Sequence, residues 1–171
     1  MSRAGEAEAK INEVVGKLDN KSLKIQPPNM LVNVQNEGQQ PVSKQSWHVD
    51  LCEDQRGLVA IGAVERATLL VFPGSRAEVQ EFLRLEKLVA DEKIKKTELV
   101  ALLRSRRFEA VRVVMEPGDL LFMTGDTIHA GDRGVERESS IRIHWYIMEG
   151  DTGNSTMHLK HFGSDFERCF Q

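Results

Sequence analysis

The feature that most restricts the fold is how short the apolar runs are. "MLVNVQ" (30–35), "GLVAIGAV" (57–64), "ATLLVF" (67–72), "AVRVVM" (110–115), "LLFMT" (120–124) and "SSIRIHWYIM" (139–148) are strand-sized and carry β-branched residues. Runs of this kind, bounded by turn-forming residues, read as β-strands. A further strand carries "QSWHVDL" (45–51). Strands that follow one another without regularly interleaved helices exclude alternating βαβ units and point to one antiparallel β-barrel or sandwich. Between the 57–64 and 67–72 runs stands only the charged pair Glu65-Arg66, a connection that fits a hairpin. No Gly-rich phosphate loop is present, which argues against a nucleotide-binding fold.

Helical signals flank and interrupt the strands. Ile11, Val14, Val15 and Leu18 recur at helical spacing, so a short amphipathic helix is expected over 5–18, and "QPPN" is a firm break after it. Ser75 followed by Glu78 has the spacing of a capping box, opening a helix that runs to about 87–90. Thr97 is placed to cap a second short helix ending near Arg104. The expected fold class is therefore mainly β with flanking helices, in one domain over 1–171. Its parts are an N-terminal helix within 1–20, a barrel over 30–148 with a helical insertion at 76–105, and a C-terminal tail at 149–171.

Composition narrows the setting. A chain of 171 residues can bury a real core, and a net charge of −3 gives no global bias toward nucleic acid or anionic membrane. No run approaches the roughly 18 apolar residues of a membrane span, and the charged N-terminus does not resemble a secretory signal. Cys52 and Cys169 are far apart and build no disulfide framework. The expectation is an intracellular protein, cytoplasmic or nuclear, with no membrane partner. "KIKK" (93–96) and "RSRR" (104–107) read as solvated helix ends rather than anion-binding patches.

Chemistry enters through the histidines, of which there are five. In a strand, residues two apart share a face, so His48 and Asp50 project together while Val49 turns away. An imidazole and a carboxylate on one face can chelate a divalent metal. A third ligand would complete the two-histidine, one-carboxylate set typical of non-haem Fe(II) oxygenases. The best candidate is His129, just beyond an apolar strand in "MEPGDLLFMTGDTIHAGDRG". Thirteen residues later stands Arg142. Alternation puts Arg142, His144 and Tyr146 on one face and Ile141, Ile143, Trp145 and Ile147 on the other. A guanidinium midway along such a strand needs an anion, because burying it alone is costly. A ligand carboxylate held bidentately would supply one.

His-x-Asp, then a second histidine about eighty residues on within "PGDLLFMTGDTIHAG", and an arginine in the next strand resembles the Fe(II)- and 2-oxoglutarate-dependent dioxygenases. The "PGD…GD…HAG…R" layout is most similar to the phytanoyl-CoA-hydroxylase-like branch and related uncharacterised ones, over roughly 30–148. The resemblance implies a double-stranded β-helix, the cupin-like jelly-roll barrel. It also implies Fe(II) held by His48, Asp50 and His129, and 2-oxoglutarate held at its distal carboxylate by Arg142, with O2 as the third reactant. The implied reaction decarboxylates 2-oxoglutarate to succinate and hydroxylates an unidentified substrate, either a small molecule or a protein side chain. His144 stands where many relatives carry a small hydroxyl residue and is assigned to the lining of the cosubstrate pocket. Asn33 and Gln35 are placed beside the keto acid by strand parity.

Each residue also has an ordinary reading. His48 and Asp50 alone would be a hydrogen-bonded pair, Arg142 one half of an internal salt bridge, and His144 a satisfied interior histidine. Cys52 reads as a plain buried thiol, and His158 and His161 as surface residues near the terminus. A rival function keeps the same barrel as a catalytically inactive module binding a metal or a small acid. A nucleic-acid demethylase is disfavoured, since the strand after His129 lacks a second arginine and the chain is acidic.

Overall fold

Alternation decides which residues form strands, and the sheet each strand joins depends on where its apolar face is buried. A computed structural model describes residues 3–18, 22–33, 45–50, 57–104, 109–132, 140–149 and 160–161. The elements in chain order are α1 (Arg3–Lys17), β1 (Leu23–Ile25), β2 (Asn29–Asn33), β3 (His48–Val49), β4 (Gly57–Ala63) and β5 (Ala67–Val71). They continue with α2 (Arg76–Ala90), α3 (Lys96–Arg104), β6 (Val111–Met115), β7 (Leu120–Thr124), β8 (His129–Gly131), β9 (Ser140–Glu149) and β10 (Lys160–His161). The strands make two antiparallel sheets. One runs β1-β9-β4-β7, with β2 also pairing β9, and the other runs β10-β3-β8-β5-β6.

The inner faces of the sheets share one core: Val59, Ile61 and Ala63 of β4, Leu69 and Val71 of β5, Met115, Met123, Tyr146 and Met148. The outer faces are apolar too, and helices cover them. Trp145, Ile147 and Ala60 pack outward with Ile11 of α1, which is fully buried with Ala7 and Val15 beside it. Burying a side chain such as Ile11 contributes about 1.5–3 kcal/mol. Trp145 lies so close over Gly62 that a Cβ there would come within 2.9 Å of the indole, so β4 needs a residue without a side chain at that point. On the other side, Val79, Phe82 and Leu85 of α2, with Leu99 of α3, cover Trp47, Val49, Ile128 and Ala130. Each sheet is thus apolar on both faces, which is why β4 and β9 read as nearly continuous apolar runs.

Three local expectations are corrected. β4 and β5 are not a hairpin, because β4 pairs with β7 and β9 while β5 pairs with β6 and β8. Their short link turns a corner between sheets, with the N–H groups of Val64 and Glu65 donating to Ile141 O at 2.9 and 3.3 Å. A hairpin and a corner both need two apolar strands and a short polar link; burying both inner faces against each other selects the corner. Ser75 does occupy the N-cap of α2, but its side chain makes no capping bond. Its Oγ instead accepts the Ile128 N–H at 2.8 Å. Thr97 falls inside α3, which begins at Lys96. Three short strands add to the reading: β1, just before the break at 26–29, β8, just beyond the 120–124 run, and β10, within the C-terminal tail.

Candidate metal and acid-binding site

β3 and β8 bring the first three site residues together. They pair antiparallel with His48 directly opposite His129, so both imidazoles project from the same face into the space between the sheets. Asp50 follows two residues after His48, and its N–H donates to Gly125 O at 3.1 Å. Trp47 and Val49 point the other way, into the core beneath α2. All three polar side chains are buried.

The geometry converges on one point. His48 Nε2 lies 3.6 Å from Asp50 Oδ1, and His129 Nε2 lies 3.6 Å from Asp50 Oδ2. One donor atom from each of the three residues lies within 4.8 Å of the others. The two rings stand 4.3 Å apart, centre to centre, tilted by 54°. Both histidines are held from behind. His48 Nδ1 contacts Ser46 O at 2.8 Å and His129 Nδ1 contacts Thr127 O at 3.0 Å. A carbonyl can only accept, so each Nδ1 carries the proton and donates it, leaving both Nε2 lone pairs aimed at the carboxylate. Anchoring of this kind orients metal-ligating histidines.

Electrostatics agree with that assignment. Burial pushes His129 down to about 4, helped by the Arg142 charge and opposed by the bond to Thr127 O, so the ring is neutral near pH 7. Its Nε2 is buried with no hydrogen-bond partner among the described residues. A neutral nitrogen without a donor, facing a carboxylate, is what a cation would satisfy. The 3.6 Å separations are within twice a metal–ligand bond of roughly 2.1 Å, so one ion can bridge each pair. Two imidazoles and a carboxylate suit a first-row divalent metal. The residues fit the group.

β9 supplies the rest of the interior. Arg142, His144 and Tyr146 alternate along the inner face and all are buried, while Ile143, Trp145 and Ile147 face α1. Arg142 is 3% exposed, and its side chain is in no ion pair with a described residue. Burial lowers its pKa, and the Asp50 carboxylate only partly offsets that. Its guanidinium lies against the backbone of Gly131, where a Cβ would come within 3.1 Å of Nη2. The internal salt bridge of the ordinary reading is absent among the described residues. His144 is equally buried; both its ring nitrogens lack partners among the described residues, and burial with the Arg142 charge lowers it to about 3. The satisfied interior histidine is therefore also not what is found. Burial and the Asp50 charge raise the Tyr146 phenol above its usual range.

Among the other expected residues, Asn33 is registered opposite Ser140 on β9. Gln35, Cys52, His158 and Cys169 lie outside the described residues. His161 is registered opposite His48 through the pairing of β10 with β3, so the tail joins the metal-bearing sheet. Two supporting residues had no signal in the sequence. Gln45 Oε1 accepts the Gly131 N–H at 3.2 Å and the Gln45 N–H donates to Gly131 O at 3.1 Å, tying the approach to β3 onto the end of β8 beside Arg142. Ser75, read as a helix cap, instead holds the backbone one residue before His129.

No protein-family model matches the chain, and no curated protein matches it. Solved structures do resemble it. The epimerase SnoN in complex with Fe3+, alpha ketoglutarate and nogalamycin RO superposes with a TM-score of 0.58 at 13% identity, over 95% of this chain and 71% of that one. EvdO2 from Micromonospora carbonacea var. aurantiaca gives 0.56 at 14% identity, over 88% of this chain and 63% of EvdO2, and has also been crystallised with 2-oxoglutarate. The carbocyclase SnoK from nogalamycin biosynthesis gives 0.51 at 16% identity, over 75% of this chain and 51% of that one. This chain therefore spans only part of the length of these proteins. At such identities the likeness is one of fold, and the two facing antiparallel sheets are a jelly-roll.

Proposed function

We propose that the chain is a non-haem iron enzyme dependent on 2-oxoglutarate, using His48, Asp50 and His129 to hold Fe(II) and Arg142 to hold the distal carboxylate of the keto acid. One observation carries the reading: a two-histidine, one-aspartate cluster and a buried guanidinium that forms no ion pair with a described residue share one barrel interior. The jelly-roll likeness to structures containing Fe3+ and alpha ketoglutarate supports it. Assignment to the phytanoyl-CoA-hydroxylase-like branch rests on the "PGD…GD…HAG…R" layout alone.

The bound metal would supply activation of O2, coupled to decarboxylation of 2-oxoglutarate to succinate. The chain's own residues orient the parts. Ser46 O and Thr127 O fix the tautomer and direction of the two rings, so no reorganisation is needed when the ion arrives. Arg142 offers a planar fork to a carboxylate in a dry interior, where the charge-assisted bonds are strong. The apolar walls from Val59, Ile61, Leu69 and Val71 keep water from the reacting centre.

The test is consumption of 2-oxoglutarate with formation of succinate, given Fe(II) and O2, compared between the native chain and His129→Ala. Turnover abolished by the substitution supports the enzyme. Metal and keto-acid binding without succinate formation, across candidate substrates, would favour the inactive binding module. Because the similar structures include an epimerase and a carbocyclase, the product analysis covers epimerised and cyclised products as well as hydroxylated ones.

A further inference from the structure

An edge strand leaves part of its backbone without a ladder partner, which makes sheet edges the places where another chain can add on. Among the described strands, β1 with β2, β7, β10 and β6 stand at the edges of the two sheets. Three of these carry a cation: Lys24 in β1, Arg112 in β6 and Lys160 in β10. Charge on an edge is the usual guard against edge-to-edge pairing. β7 has no charge, but its apolar residues are buried or half-buried. β2 has neither protection. It carries no charge, its ladder partner among the described strands is β9 alone, and Met30, Leu31 and Val32 are 66%, 38% and 45% exposed. Successive strand residues alternate between faces, so apolar surface is exposed on both sides of this edge.

We propose that β2 pairs with β2 of a second copy of this chain, antiparallel about a two-fold axis at Leu31, joining the two β9-containing sheets edge to edge. The strand's own sequence selects that partner. Asn-Met-Leu-Val-Asn has the same order of polar and apolar residues from either end, so reversal across a two-fold sets like against like. Leu31 stands opposite Leu31 of the second copy, Met30 opposite Val32, and Asn29 opposite Asn33. Opposed residues of an antiparallel pair share a face, so the apolar layers and the polar ends match together. A register shifted by two residues would set an asparagine against Leu31 instead. Charge agrees with the choice. Two copies of β1, β6 or β10 would bring like cations together, whereas two copies of β2 do not repel. The pairing is isologous and closes at two copies. With five residues a side the interface is small, and small interfaces are weak and reversible. Each copy keeps its own metal cluster, so the dimer stands or falls independently of the proposed function.

The experiment is sedimentation velocity over a concentration series reaching about 200 μM, where a weak dimer is populated. The native chain is expected to show a reversible monomer–dimer equilibrium. Met30→Lys combined with Val32→Lys opposes like charges across the two-fold and is expected to weaken the dimer about tenfold or more. Met30→Lys combined with Val32→Glu opposes unlike charges at the same positions and is expected to dimerise about fivefold more tightly than the double-lysine variant. A native chain that stays monomeric throughout the series overturns the proposal. So does a double-lysine variant that dimerises as the native chain does, because the contact would then lie elsewhere. Equal affinities in the two double variants overturn the register on Leu31 and the proposal with it. If a variant does not melt cooperatively, hydrogen exchange on the native chain carries the test. Protection of the amides of 29–33 that rises with concentration supports the pairing. Protection independent of concentration would show the edge covered within one copy, by the chain's own residues, and overturns it.

Discussion

His48 and His129 on one side of the barrel interior, and Arg142 and His144 on the other, are equally buried but opposite in their hydrogen bonding. Each metal-side imidazole has its Nδ1 bound to a backbone carbonyl two residues earlier. On β9 no such support exists: neither ring nitrogen of His144 has a partner among the described residues, and burial of the Arg142 guanidinium is only partly offset by the Asp50 charge. The metal-side rings are held by their own backbone, and the Nε2 of His129 has no hydrogen-bond partner among the described residues. The β9 side has no comparable backbone support for its His144 ring. Such an arrangement costs stability, and under the proposed function a bound acid would offset that cost.

Substitutions can break this contrast, the largest effect first. His129→Ala is expected to reduce metal affinity on the order of 1,000-fold or more, since losing even an outer partner of a metal ligand typically costs 10–100-fold. Calorimetry with Zn(II) or Mn(II) measures it, and affinity within tenfold of native would dissolve the metal cluster as read. Arg142→Met is expected to weaken binding of N-oxalylglycine, an unreactive mimic of 2-oxoglutarate, about 100-fold through loss of two charge-assisted bonds. The same change should raise the stability of the ligand-free chain by about 1–3 kcal/mol, because a buried charge only partly offset by Asp50 is removed. A lower melting temperature in that variant would mean the guanidinium has a structural partner.

A pH series sharpens the comparison further. His144 falls from 6.5 to about 3 through burial, so the unfolded chain takes up a proton that the folded chain refuses. Its contribution is therefore present in full above pH 6.5 and is lost as the pH falls toward 3. Between pH 7.5 and 5 the metal-free native chain should lose about 2 kcal/mol more than His144→Met, read from denaturant midpoints. Equal losses in the two chains would show that His144 is not held neutral. The smallest effect concerns Ser75. Ser75→Ala leaves the buried Ile128 N–H without its acceptor and should cost about 1–2 kcal/mol, with a fall of a few fold in metal affinity because His129 is next in the chain. Loss of stability with no change in metal affinity would confine Ser75 to folding.

The site was more legible than the topology. His48 and Asp50 share a face because strand parity is a local property, and the same parity separates Arg142, His144 and Tyr146 from Ile143, Trp145 and Ile147. Short range also serves the helices, since α2 and α3 follow from apolar spacing and polar starts. The corner between β4 and β5 was not legible, because a polar two-residue link looks the same whether the next strand returns beside its predecessor or crosses to the other sheet. Nor was the use of Ser75, whose hydroxyl has an acceptable local partner in the helix and a better distant one at Ile128. β1, β8 and β10 were missed because strands of two or three residues are too short to show a period.

Local sequence thus determined which side chains face inward on each strand, since alternation requires nothing beyond neighbouring residues. Tertiary structure decided which inward faces meet. Pairing of β3 with β8 set His48 opposite His129, across about eighty residues of chain. The packing of β9 against the other sheet left Arg142 beside Gly131, its burial only partly offset by the Asp50 charge. Whether a buried polar group is satisfied depends on what the rest of the fold brings to it, and no spacing along the chain encodes that.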